Sequence, residues 1–231
     1  MEKDVLKLES WHTPATDYPS KRVGNYRIRH RHYKHGYYNM WGIDEHLFFS
    51  VVDKIPITVL EEYREGKWHD WMVDDPPHWR AMETYAEHVK GNVLVGGLGL
   101  GLIIHALVKN PAVTDITVVE RSQEVRDMVW PLVPKRSPNL KSIGIVMDDF
   151  YQFVNEQRHL HWDAIIADLW VAKDEGEKIM LLYREAGPTY DMLKAFYPDA
   201  TIVLHGFVTV TDIPLIKPET VNLMLRLHRE I

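Results

Sequence analysis

Gly91-Asn92-Val93-Leu94-Val95 is an apolar run of strand length that leads directly into Gly96-Gly97-Leu98-Gly99-Leu100-Gly101. A helical stretch, Leu102 to Val108, opens at once after it. Glycines at 97, 99 and 101 allow tight turning and close approach of a ligand to the backbone, since no Cβ intervenes. The helix start behind them would offer unpaired N–H groups and a positive dipole end. Few folds place a buried strand, a glycine loop and a helix in that order.

The rest of the chain narrows the choice. Apolar runs of strand length recur at Val93 to Val95, Ile116 to Val119, Ile143 to Val146, Ala164 to Ala167 and Thr201 to Leu204. Helical stretches lie between most of them, at 100–109, 122–130, 151–157 and 177–196, with one more expected over 218–228. Short apolar strands alternating with helices predict a parallel sheet covered on both faces. Right-handed crossovers then favour an α/β, Rossmann-like, doubly wound, mostly parallel sheet. Asp75-Pro76-Pro77 reads as an N-cap followed by proline in the first turn of a helix running to about His88.

Residues 1–75 differ in texture, being rich in aromatics, histidine and arginine. Strand-like runs occur at Tyr26 to Tyr33, Leu47 to Val52 and Ile57 to Tyr63, so this part is expected to be a small β-rich extension or substrate cap. Residues 76–231 are expected to form the Rossmann-like domain. The stretch Lys67-Trp68-His69-Asp70-Trp71 does not read as a clean apolar strand.

With 231 residues, no cysteine, 45% hydrophobic residues and a net charge of -6, the chain is expected to be globular, without disulfides or thiolate metal sites. The net charge argues against a general nucleic-acid binder. A charged start and the lack of a long apolar run predict a cytoplasmic location without a membrane span.

Glu120 ends the strand that follows the glycine loop, about 20 residues on, where an acid of a dinucleotide fold reaches ribose hydroxyls. The spacing is G-x-G-x-G. The nicotinamide fingerprint would need a glycine at Leu102. Val95-Gly96-Gly97-Leu98-Gly99-Leu100-Gly101 resembles the first motif of class I S-adenosylmethionine-dependent methyltransferases, with Val95 where that family often has an acid. Val118-Val119-Glu120-Arg121-Ser122 is similar to the family's ribose-binding strand end. Ile145-Val146-Met147-Asp148-Asp149-Phe150 is similar to its adenine-binding strand end, and Trp162 to Trp170 to its fourth strand. The resemblance implies S-adenosylmethionine as cofactor. Gly96, Gly97, Gly99, Gly101, Glu120, Arg121, Asp148, Asp149 and Phe150 would form its site, and Asp168 would face the reacting centre. It also implies a small-molecule acceptor.

The Val-Val-Glu and Trp-Asp-Ala-Ile-Ile-Ala-Asp strings also look like the spermidine synthase branch of the superfamily. Gly99, and Leu169-Trp170-Val171 after Asp168, depart from that branch. The class I enzymes usually end in an antiparallel hairpin not evident here. A non-catalytic assembly protein, or a homodimer covering the sheet edge, therefore stays open.

Asp75-Pro76-Pro77-His78-Trp79 is similar to the D-P-P-[YFW] signature of amino-methylating enzymes but precedes the glycine loop, so a helix cap is the preferred reading. His78, Trp79 and Trp170 are candidate substrate contacts. The run Lys21 to Tyr38 contains no acid. It could grip phosphates or an anionic substrate, but reads best as a solvated strand face. His30 and His32 share a face without a nearby acid or cysteine, so no metal site is expected.

Overall fold

The computed structural model describes residues 6–39, 48–171, 177, 180–207 and 211–213, so the helix expected over 218–228 lies outside the described residues. Two sheets make up the fold. The first contains β1 (Leu6–Leu8), β2 (Lys21–Val23), β3 (Tyr26–Asn39), β4 (Phe48–Arg64) and β5 (Lys67–Asp74). β4 is its axis. It pairs in parallel with β1 and antiparallel with β3 and β5.

Two expectations need correction here. The runs at 47–52 and 57–63 are one 17-residue strand, because Pro56 pairs opposite His32 without interrupting it. Segment 67–74 is also a strand. Glu65 and Gly66, at φ +52° and +80°, form a two-residue hairpin turn that sets Arg64 opposite Lys67. Such a turn matches the right-handed strand twist and lets a mixed polar sequence pair.

Two arginines of the basic run on β3 are paired with acids within this sheet. Arg27 and Arg31 both donate to the buried Glu61 carboxylate, and Arg31 forks onto Asp70 at 2.7 and 2.8 Å. The Arg27 guanidinium also lies 4.0 Å over the Trp68 ring. His30 and His35 spend ring nitrogens on the carbonyls of Tyr18 and Val52.

The second sheet is parallel. Its strands are β6 (Gly91–Gly96), β7 (Val113–Glu120), β8 (Ser142–Met147), β9 (Ala164–Ala167) and β10 (Thr201–Leu204), in the order β10-β9-β6-β7-β8. β9 is buried throughout, as a strand covered on both faces must be. The covering helices include α1 (Pro76–His88), α2 (Leu102–Leu107), α3 (Gln123–Val129), α4 (Phe150–Glu156) and α5 (Gly187–Phe196), the last entered through a π-helical turn at Leu182–Ala186. The order reverses between β6 and β9, and such a switch point opens a crevice at the carboxyl ends of the strands. Asp212 covers part of the β10 edge. Its N–H donates to the Ile202 carbonyl at 2.9 Å and its carboxylate accepts from the Ile202 N–H at 2.7 Å.

The two sheets share one core. Ala15, Tyr18, Ile28 and Leu60 of the N-terminal part pack with Met82, Tyr85, Val95 and Leu100. The Tyr18 hydroxyl donates to the Leu100 carbonyl and lies 2.8 Å from His105 Nε2 on α2. Asp74, at the end of β5, is fully buried and accepts from the Thr13 hydroxyl, while its Oδ1 has no hydrogen-bond partner among the described residues.

Burial pushes the Asp74 carboxyl up to about 7. The carboxyl thus keeps its proton in the folded chain where the unfolded chain has lost it. Between about pH 4 and pH 7 the folded state binds more protons, and stability falls as pH rises. Asp74→Asn, which mimics the protonated form, is expected to raise stability by about 2–4 kcal/mol at pH 8 and by little at pH 4. Urea melts at the two pH values check this, and an equal effect at both would contradict it.

Candidate functional site

An open cleft with a volume of about 160 Å³ lies at the switch point. Gly97, Gly99, Glu120, Arg121, Asp148, Asp149, Phe150, Asp168 and Trp170 line it, joined by Trp71, Met72, Tyr151 and Glu185 among others. The structure therefore gathers most of the residues singled out above at the carboxyl ends of β6, β7, β8 and β9. Gly96 and Gly101 lie outside that lining. Gly96 closes a small void under the loop. Gly101, at φ +71°, starts α2 and faces Val133.

Gly97, Gly99 and Gly101 turn tightly as expected, at φ +88°, +50° and +71°, and the loop glycines have a further cause. A Cβ on Gly96 would sit 2.7 Å from the Phe150 ring, and one on Gly97 2.7 Å from the Asp168 carbonyl oxygen. One on Gly99 would sit 2.4 Å from the Met72 methyl carbon. The close approach is thus first to the protein's own strand ends and to β5. The loop N–H groups are also partly spent internally. Gly97 donates to Val119, Leu98 to Glu120 and Leu100 to the Met72 sulfur at 3.1 Å. α2 is six residues long, and Gly101 at its start supplies no side-chain cap.

Glu120 is buried at 8% exposure. One carboxylate oxygen accepts from Leu98 N–H at 2.8 Å and the other from Ser122 N–H at 2.7 Å. Each oxygen keeps a second lone pair, which suffices for two hydroxyls of a vicinal diol. Asp149 caps α4, its Oδ1 accepting from Tyr151 and Gln152 N–H, while Asp148 Oδ1 accepts from Asp149 N–H. The second oxygen of each remains for a ligand donor at the cleft. Arg121 lies 6.0 Å from the Trp71 ring centre. Trp170 donates from Nε1 to Glu185 at 3.1 Å and meets Phe207 edge-on.

The two candidates on α1 part company. Asp75 accepts from His78 N–H at 3.0 Å, so it caps the helix. Trp79 is buried in the core beneath Lys109 Nζ at 5.0 Å and does not line the cleft, correcting its expected substrate contact. His78 does not line the cleft either, which corrects its expected substrate contact too, but its Nε2 lies 3.9 Å from an oxygen of Asp168, which does. Burial, with His205 close by, drops the His78 pKa to about 3, and burial raises that of Asp168.

His205 escaped the sequence reading. It follows β10 and stacks beside His78 at a 4.6 Å centroid separation. Residues 78, 168 and 205 are so far apart in sequence that only the strand order brings them together. Trp71 and Met72 were missed because segment 67–74 lacks a clean strand pattern.

Among the described residues no helix is long and apolar enough to cross a membrane. No protein-family model matches the sequence, and no curated protein matches it. Solved structures with some likeness include MnmC2 from Aquifex aeolicus, at 18% identity and TM-score 0.34, covering 49% of this chain and 46% of that one. An S-adenosylmethionine-dependent methyltransferase from Agrobacterium tumefaciens shows 14% identity and TM-score 0.40, covering 64% of this chain and 49% of that one. Precorrin 8w decarboxylase from Methanobacterium thermoautotrophicum shows 13% identity and TM-score 0.36, covering 66% and 69%. The chain spans about half the length of the first two.

Proposed function

We propose that this chain is an S-adenosylmethionine-dependent methyltransferase acting on a small acceptor. One observation carries the reading. Among the described residues, the switch-point cleft is lined by five carboxylates, Glu120, Asp148, Asp149, Asp168 and Glu185, against one cation, Arg121. A dinucleotide would bring a doubly negative pyrophosphate into that field, whereas an adenosyl sulfonium brings a positive charge and no phosphate. At an effective dielectric of 20, two unit charges 4 Å apart interact by about 4 kcal/mol, so the sign of the ligand decides the matter.

In this reading Glu120 holds the ribose diol and Asp148 and Asp149 meet the adenine edge beside Phe150. Gly97 and Gly99 floor the cleft. When bound, the sulfonium supplies an electrophilic methyl group. Asp168 then faces the acceptor, and burial favours its holding the acceptor's proton. Trp71, Trp170, Tyr151 and Glu185 make the acceptor's wall, which suits a small, partly aromatic or cationic molecule. Alignment and exclusion of water supply much of such a transfer, so no further base is needed.

Product analysis tests the reaction. With S-adenosylmethionine labelled on the methyl group and a small-molecule extract as acceptor pool, label should pass to an acceptor while S-adenosylhomocysteine accumulates. Release of methylthioadenosine instead would replace methyl transfer by aminopropyl transfer or cleavage.

A further inference from the structure

His78, Asp168 and His205 come from three separate elements, yet each offers a ligand atom within 4.8 Å of the other two. Each is fixed by its backbone. His78 is held by the Asp75 cap, Asp168 donates its N–H to the Gly96 carbonyl at 3.0 Å, and His205 donates its own to Ala167 at 2.8 Å. The Tyr85 hydroxyl lies 3.0 Å from His205 Nδ1 and orients that ring. Such an outer contact is what sets the direction of a ligating imidazole.

The pocket is chemically incomplete as protein alone. His78 Nε2 is fully buried and has no hydrogen-bond partner among the described residues. Its nearest charged neighbour is the Asp168 carboxylate at 3.9 Å, too far for a hydrogen bond. An unpartnered, buried imidazole nitrogen and a half-buried carboxylate facing one point suit a positive centre between them.

We propose that His78, Asp168 and His205 bind a divalent transition-metal ion beside the cleft, whose wall Asp168 lines. Two imidazoles and one carboxylate suit zinc, cobalt or ferrous iron, whereas magnesium and calcium prefer all-oxygen sets. With bonds of about 2.1 Å, a tetrahedral ion holds its ligands roughly 3.4 Å apart, so the side chains close by about 1 Å. Three protein ligands leave a position open. An acceptor hydroxyl or amine placed there would lose its proton more readily, which gives Asp168 a ligating role beside the one above.

The experiment uses chelator-stripped full-length protein without any adenosyl compound, so its failure is separate from failure of the methyltransferase reading. Cobalt(II) titration should give a visible ligand-field spectrum saturating at one ion per chain. Zinc should displace cobalt, and a large excess of magnesium should not. His78→Gln and His205→Gln should each weaken cobalt binding at least about 100-fold. His159→Gln and His161→Gln, at exposed positions, should bind as the parent does. Should the site variants fail to fold, the cobalt-loaded parent still decides, because two histidines must show hyperfine-shifted imidazole resonances. No spectrum, binding unchanged in both site variants, or fewer than two shifted histidines would overturn the proposal.

Discussion

Glu120→Gln is expected to weaken S-adenosylmethionine binding about 30- to 100-fold while leaving the fold intact. The carboxylate serves four donors in the proposed complex: Leu98 and Ser122 N–H, and two ribose hydroxyls. Glutamine keeps the shape but turns one end into an NH₂ group. Whichever way the amide is set, that group faces a backbone N–H and cannot accept from the hydroxyl on its side. Losing one charge-assisted hydrogen bond to a ribose hydroxyl costs about 2–2.7 kcal/mol, which is the stated range in affinity. Calorimetric titration reads the change. Affinity equal to that of the parent chain would remove Glu120 from the site and leave it a brace for the loop.

Gly97→Ala should act on the whole fold. The residue sits at φ +88°, where a Cβ costs about 1–2 kcal/mol. That Cβ would also meet the Asp168 carbonyl oxygen at 2.7 Å, and backbone cannot swing aside as a side-chain tip can. A further cost of about 1–3 kcal/mol follows from the displaced strand end. For a chain of this length the sum lowers the melting temperature by about 10 °C. Asp168 would shift with its backbone, so ligand affinity should drop as well. A melting temperature within a degree or two of the parent value would show that the β6 and β9 ends do not abut as described.

Much of the parallel sheet was legible because its strands are buried on both faces and its helices begin at readable caps. β9 matches the apolar run Ala164 to Ala167 at both ends, and α1 starts behind Asp75 as the Asp-Pro-Pro sequence implies. The N-terminal sheet was harder. Its long β4 takes its pattern from partners on two sides, and Pro56 imitates a break that the pairing with His32 does not respect. β5 depends on a hairpin turn with Glu65 at positive φ, which no ordinary turn signal announces.

The candidate site divides in the same way. The strand-end acids were readable because each follows an apolar run. The further cause of the glycines was not, since Phe150, Asp168 and Met72 press on them from distant parts of the chain. His205 could be recognised only once β10 was seen beside β9.

In the proposed function the switch-point cleft takes an adenosyl sulfonium rather than a dinucleotide. Calorimetry of the parent protein with S-adenosylmethionine, S-adenosylhomocysteine and NAD compares the three directly. Saturable one-to-one binding of both adenosyl compounds and none of NAD is the predicted result, and binding of NAD with neither adenosyl compound bound would contradict it.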